Sequence, residues 1–114
     1  MVESNLHLDL IFGSLSHHIR RDILRRGAVE ELSVSQMAKA YDLTLAAISK
    51  HLKILEKAKL IIKRRRGKEQ IVQLAPAAFA DAAGYLKEYE KLWNHRLDSL
   101  ENYLSSLPPE NHDA

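Results

Sequence analysis

Residues 44 to 68, TLAAISKHLKILEKAKLIIKRRRGK, decide the fold. Thr44 can cap a helix by accepting a bond from a free first-turn N–H. Ile48, Leu52 and Leu55 then fall at i, i+4 and i+7 and form one apolar stripe. Ala46, Ser49, Lys50 and Lys53 project from the opposite side. Leu60 to Arg65 is short and β-branched at Ile61 and Ile62, and it runs into Arg66-Gly67-Lys68, a hairpin-turn signal. Gln70 to Leu74 can return as a second strand. The expected product is a helix with a small, basic outer face, followed at once by a basic hairpin. A helix of that kind fits the major groove of B-DNA, and a hairpin tipped with Arg and Lys suits the adjoining backbone or minor groove.

Charge supports this reading once it is divided along the chain. The net value is +2, but residues 50 to 68 hold nine basic groups against one acid, Glu56, and so carry +8. The remainder holds eight basic groups and fourteen acids, or −6. A concentrated basic segment on a slightly acidic body is the footprint expected for nucleic acid. The competing reading is a solvated charged face, which the adjacency of basic helix and basic hairpin disfavours.

Working outward, Asp42-Leu43-Thr44 reads as a tight turn, with Asp tolerating the left-handed conformation. Before it, Ser33-Val34-Ser35-Gln36 is a capping-box candidate opening a helix to about Tyr41, with Met37, Ala38 and Tyr41 facing inward. Two short helices joined by a tight turn form a helix-turn-helix, and the hairpin makes it a winged helix. Upstream, Ser16 is the expected cap of a helix with Ile19, Ile23 and Leu24 inward, Arg20, Arg21, Arg25 and Arg26 outside, and Gly27 as its stop. The first helix carries Leu6, Leu8, Leu10, Ile11, Phe12 and Leu15, more apolar surface than a short terminal helix can hide in a small monomer.

Downstream, Pro76 suits the first turn of a long helix. In it Phe79, Ala82, Leu86, Tyr89, Trp93, Leu97, Leu100, Leu104 and Leu107 recur at a mean spacing of 3.5 residues, a coiled-coil-like seam. Such a stripe spans roughly 40 Å, longer than a small core, so part of it is expected to join two subunits. The dimer-interface candidates are Leu6, Leu10, Leu86, Tyr89, Trp93, Leu97, Leu100 and Leu104. Pro108-Pro109 ends the helix. The expected fold is mainly α with a small β-hairpin, in the order α-α-α-α-β-β-α. Residues 1–107 form one domain and 108–114 a disordered tail.

The residues Ala47-Ile48-Ser49-Lys50-His51-Leu52-Lys53-Ile54-Leu55-Glu56-Lys57-Ala58-Lys59-Leu60 resemble the pattern A-V-S-K-H-L-K-V-L-x-x-A-G-L of the ArsR/SmtB family of bacterial winged-helix transcriptional regulators. Arg20-Arg21-Asp22-Ile23-Leu24, Ser33-Val34-Ser35-Gln36-Met37-Ala38 and the Arg64-Arg65-Arg66-Gly67-Lys68 wing are similar to it as well. The likeness covers roughly residues 8 to 105. It implies a homodimer, built from the first and last helices, that represses transcription at an inverted-repeat operator. The last helix around Trp93 resembles the metal-independent branch. Arsenic and cadmium sensors of the family carry Cys-Val-Cys where this chain has Ser33-Val34-Ser35, and serine hydroxyls do not replace thiolates on soft metals. The family's zinc motif on the last helix is also missing. In place of its usual Asp-Pro-Thr stands His17-His18-Ile19, and Leu45 and Ala46 replace polar residues at the opening of the recognition helix.

The candidate DNA contacts are Thr44, Leu45, Ala46, Ser49, Lys50, His51, Lys53, Arg64, Arg65, Arg66 and Lys68. Ser49 allows close approach, and Lys50 and Lys53 reach guanine or phosphate. Leu45 and Ala46 can touch thymine methyls. Thr44 reads equally as a cap or a phosphate contact, and His51 as a phosphate donor or a packed ring. Strand alternation sends Arg64 and Arg66 one way and Arg65 the other. No cofactor or metal is expected. The one alternative ligand set, His95 and Asp98 with His7, is outweighed by solvated surface groups. Tyr85, Tyr89 and Trp93 read as packing before they read as a small-molecule pocket, and the sequence leaves any small-molecule effector unknown. Glycine-rich phosphate loops and nucleophile elbows are absent, so no enzyme is expected. With no cysteine, an acidic start and short apolar runs, the chain reads as cytoplasmic, with no membrane segment. The alternative is a winged helix whose basic segment meets an acidic protein or RNA.

Overall fold

A computed structural model describes residues 2–109; of the tail expected over 108–114, residues 110–114 lie outside the described residues. The elements are α1 (Val2–Ser14), α2 (His18–Val29), β1 (Leu32–Ser33), α3 (Val34–Ala40), α4 (Leu45–Lys57), β2 (Ile61–Arg66), β3 (Glu69–Leu74) and α5 (Pro76–Ser106). The mainly helical winged helix-turn-helix is as expected, with one addition. The hairpin is widened by β1 into a three-stranded antiparallel sheet of order β1-β3-β2. Leu32 pairs with Val72 and Ser33 with Ile71. Arg66 pairs with Glu69 across the wing turn, where Gly67 takes φ +62°, the left-handed region that glycine enters without strain.

The chain divides into two compact units, the first running to Ala82 and the second starting at Ala83. The first holds the core. Ile11, Ile23, Met37, Ile48, Leu52, Leu55 and Leu60 are completely buried, and Ile61 and Val72 nearly so. All three predicted stripe residues of α4 are therefore in the core. Ser33 caps α3 through a full capping box. Its hydroxyl accepts from Gln36 N–H at 3.1 Å, and Gln36 Oε1 accepts from Ser33 N–H at 2.8 Å.

Two expected helix ends differ. Ser16 does not cap α2; the cap is His17, whose Nδ1 accepts from Ile19 N–H at 3.1 Å. The Ser16 hydroxyl is turned back to Gly13 O at 2.7 Å. Gly27 does not stop α2, which continues to Val29. A Cβ on Gly27 would lie 3.2 Å from Leu74 Cδ2, so its smallness serves close packing against β3.

The helix-turn-helix is fixed by its ends. α3 and α4 both close with a left-handed residue, Asp42 at φ +53° and Lys59 at φ +61°. In each case the next residue's N–H reaches back five positions: Leu43 N–H to Ala38 O at 2.9 Å, and Leu60 N–H to Leu55 O at 3.1 Å. These are Schellman closures that satisfy carbonyls otherwise orphaned. Asp22 of α2 ties the end of α3. Tyr41 Oη donates to Asp22 Oδ2 at 2.5 Å and Arg26 Nε donates to the same oxygen at 3.1 Å, while Arg25 pairs with Oδ1. The Arg26 guanidinium also lies 5.0 Å from the Tyr41 ring centroid. Bonds from Tyr41, Arg26 and Arg25 hold the Asp22 carboxyl down to about 2. Burial and Asp22 push the Tyr41 phenol up to about 12.

In the second unit α5 continues to Ser106. Its seam residues Leu86, Tyr89, Trp93, Leu97, Leu100 and Leu104 are all exposed, between 45% and 62%. Earlier on α5, Ala78 and Ala82 are buried in the core of the first unit and Phe79 packs against it.

Candidate nucleic-acid interface

Thr44 caps α4 by accepting from Ala47 N–H at 3.1 Å, so its structural reading holds. With Ile48, Leu52 and Leu55 turned inward, Leu45, Ala46, Lys50 and Lys53 are exposed along the outer side, and Ser49 and His51 are half-buried at its margins. Lys50, Lys53 and Lys68 carry no ion pair among the described residues. Their charge is free for an external anion.

The wing residues are not equivalent. Arg66 Nη2 lies 2.9 Å from Glu31 Oε2, and Gln73 Nε2 donates to Glu31 Oε1 at 3.2 Å. The bond from Arg66, then that from Gln73, holds the Glu31 carboxyl below the ordinary carboxylate range, and the charge of Arg64 adds to this. Arg64 and Arg66 thus share the Glu31 side, as alternation predicts. Arg65 instead donates from Nε to Gly67 O at 3.3 Å. Lys63 Nζ, 3.6 Å from Glu56 Oε1, links the root of the wing to α4.

One cluster of side chains beside α4 was not anticipated from the sequence. Arg20, expected outside, is half-buried. Its Nε donates to Ser14 O at 2.6 Å and its Nη1 to His51 Nδ1 at 3.2 Å. The His17 ring lies 4.7 Å from His51 and stacks on His18 at 4.8 Å. The start of α2 therefore abuts the recognition helix. Residues 17, 20 and 51 are too far apart in sequence for any spacing rule; the only signal was the departure of His17-His18 from the family pattern.

Among the described residues no three His, Cys, Asp or Glu side chains gather as a metal ligand set. His7 Nε2 lies 3.3 Å from Asp81 Oδ2; His95 and Asp98 belong to the second unit. There a shallow groove of about 480 Å³ is lined by Tyr89, Leu92, Trp93 and Arg96, and Tyr85 Oη donates to Tyr89 Oη at 3.1 Å. No helix among the described residues is long and apolar enough to cross a membrane.

Residues 15–64 match the family model described as a helix-turn-helix domain. The HTH-type transcriptional regulator Rv2034 of Mycobacterium tuberculosis is 28% identical over 98 residues, covering 86% of this chain and 89% of that protein. Among solved structures, an ArsR-like transcriptional regulator from Rhodococcus sp. RHA1 superposes with TM-score 0.76 at 25% identity, covering 92% of this chain and 99% of the other. The chain is thus similar in sequence and fold to ArsR-type winged helix-turn-helix regulators. A solution structure of the homodimeric winged helix-turn-helix DNA-binding domain Mb0332 from Mycobacterium bovis, a possible ArsR-family transcriptional regulator, superposes with TM-score 0.59 at 25% identity, covering 82% and 86% of the two chains. In this chain the matched segment contains α2, α3 and α4 and ends inside β2, so it includes α4 and the residues that abut it.

Proposed function

We propose that this chain acts as a homodimeric cytoplasmic repressor that binds double-stranded DNA at an inverted repeat. α4 enters the major groove and the β2–β3 wing lies on the backbone or in the adjoining minor groove. The observation that carries the reading is the division of α4. Its inner residues Ile48, Leu52 and Leu55 are at 0% exposure, while Lys50 and Lys53 are exposed and, among the described residues, without an ion pair, beside an exposed arginine-rich wing.

Ser49, Lys50 and Lys53 contact base edges, Leu45 and Ala46 touch thymine methyls, and Thr44 and His51 face phosphates. Arg64, Arg65, Arg66 and Lys68 follow the backbone or a narrow minor groove. A second copy covers Leu6 and Leu10 of α1 and the exposed stripe from Leu86 to Leu104 on α5. The likeness to homodimeric Mb0332 supports that assembly. Twofold symmetry then sets half-site centres about 34–36 Å apart. Ser33, expected where metal-sensing relatives carry cysteine, is 1% exposed and committed to its capping box. We assign no metal: zinc, cadmium and arsenite leave the DNA complex intact.

The test is selection from a randomised duplex library with the full chain, followed by a reporter carrying the selected site upstream of a promoter. The expected result is an imperfect inverted repeat, repression of the reporter, and affinity falling roughly 1,000- to 100,000-fold between about 50 and 200 mM salt. Failure to select any duplex, with capture of RNA or an acidic protein instead, overturns it.

A further inference from the structure

The group formed by His17, Arg20 and His51 contains a chemical constraint that the regulator reading does not use. An arginine side chain has donors only. The 3.2 Å contact of Arg20 Nη1 with His51 Nδ1 therefore requires a lone pair on that nitrogen. The same holds at His17, where Nδ1 faces the Ile19 N–H at 3.1 Å. Each ring is then neutral and carries its proton on Nε2. Neither Nε2 has a partner among the described residues, and neither is buried without one. Two fixed, solvent-reaching N–H donors thus stand with their rings 4.7 Å apart, one on the recognition helix and one just ahead of α2. His18 and Arg21 lie beside them on α2.

We propose that His17 and His51 together donate from Nε2 to a backbone phosphate of the bound DNA, and that Arg20 is the positioning residue that holds His51 in the donating tautomer. This inference rests on the DNA-binding reading above. Arg20 is itself anchored by its Nε bond to Ser14 O at 2.6 Å, and Ser14 is buried at 1% exposure. Guanidinium, carbonyl and imidazole therefore form one chain from the core to the α4 surface. Partial burial lowers the pKa of both rings, with neighbouring charges adding to it: His18, Arg20 and Arg21 at His17, and His17, Arg20 and His18 at His51. Both rings stay neutral at neutral pH. A neutral donor orients a phosphate without neutralising it, which separates it from the lysines of α4.

The experiment measures binding of the full chain to a duplex selected by the wild type, at several salt concentrations. His17→Asn keeps an acceptor for the Ile19 N–H and removes the Nε2 donor. His51→Asn does the same toward Arg20. Each is expected to weaken binding on the order of tenfold, as for a hydrogen bond to a charged group, with an unchanged slope of log affinity against log salt. His51→Gln restores a terminal donor and recovers most of the loss. Nitrogen-15 spectra of the imidazoles read the positioning role. The wild type shows both rings as Nε2–H tautomers, and Arg20→Leu shifts only His51 toward a mixture.

Full affinity in His17→Asn, or a salt slope reduced by about one charge in either Asn variant, overturns the inference and leaves the regulator reading standing. An Nδ1–H tautomer in the wild type overturns it without any variant having to fold. If the wild type selects no duplex, both readings fall together.

Discussion

The winged-helix body and the second half of α5 contain much the same side-chain types and use them in opposite ways. In the body, Ile48, Leu52 and Leu55 sit at i, i+4 and i+7 and are at 0% exposure, because α1, α2, α3 and the sheet supply the facing surfaces. On α5, Leu86, Tyr89, Trp93, Leu97, Leu100 and Leu104 recur with the same regularity and stay at 45% or more. Periodicity identifies an apolar face. It does not say whether the chain itself supplies what covers that face. An exposed apolar stripe of this length fits an association surface, and the long 3.5-residue repeat suits a second copy better than a globular core.

The largest effect that can break this contrast comes from placing a charge in the stripe. Leu97→Asp or Trp93→Lys is expected to abolish dimerisation, since the new charge would be buried without a partner. Sedimentation velocity at micromolar concentration should show monomers or insoluble protein, and DNA affinity should drop with them. If Leu97→Asp remains a dimer, the stripe is not the subunit contact.

A truncation in the body should act differently. Leu52→Ala leaves a cavity in a fully packed site and is expected to cost about 2–5 kcal/mol in chemical denaturation. Leu100→Ala should leave the melting of the body unchanged and make assembly more concentration-dependent. Equal losses of body stability in the two variants would erase the distinction between the regions.

Much of the body was legible because its signals are local. The Ser33 box, the Thr44 cap, the Asp42 turn and the α4 stripe each lie within a few residues, and each holds in the structure. What escaped was non-local or too short to have a period. β1 is two residues long and owes its existence to Val72 and Ile71. Arg20 looked like a surface residue on its own helix, but its partner is 31 positions away. Gly27 carried a stop signal that contact with Leu74 outweighs. At the site, α4 and the wing could be nominated from charge, but the coupling of His51 to α2 and of Arg66 to Glu31 could not.

Lys59 sharpens the local part of the comparison. It occupies the left-handed closing position of α4 at φ +61°, where the related pattern has glycine. A side chain there costs roughly 1–2 kcal/mol. Lys59→Gly is therefore expected to stabilise the body by about 1 kcal/mol, read as a higher denaturation midpoint with an unchanged slope. No gain would mean that the lysine makes compensating contacts.

Acidification should also act on the body through His17 and His51. Both have folded pKa values below the ordinary histidine value of 6.5, so the unfolded chain binds more protons in the window below it. Stability therefore rises with pH there and is lost as pH falls from about 6.5 through the folded values. His51→Asn should flatten the pH dependence of the melting midpoint in that window. A second loss should appear only near pH 4 and below, where Asp22, held at about 2, is protonated as its bonds to Tyr41 and Arg26 are given up.

The smallest expected effect lies in the wing, where two arginines of one strand meet different partners. Arg66 is held by Glu31, which Gln73 holds in turn. Among the described residues Arg65 meets only a carbonyl in its own turn. A phosphate approaching Arg66 must compete with a carboxylate already in place, whereas one approaching Arg65 gives up a single weak bond. Arg65→Ala should therefore lower DNA affinity more than Arg66→Ala. Glu31→Gln keeps the side chain's shape and its capacity to bond Gln73 while removing the competing charge. Because the pair is solvent-exposed and screened, the gain should be modest, about two- to fivefold in affinity at low salt, fading as salt is raised. The gain should also disappear when Arg66 is alanine, because the carboxylate acts through that residue. If Glu31→Gln raises affinity equally with Arg66→Ala in place, the effect is a general one of net charge, and Arg66 is then as free for DNA as Arg65.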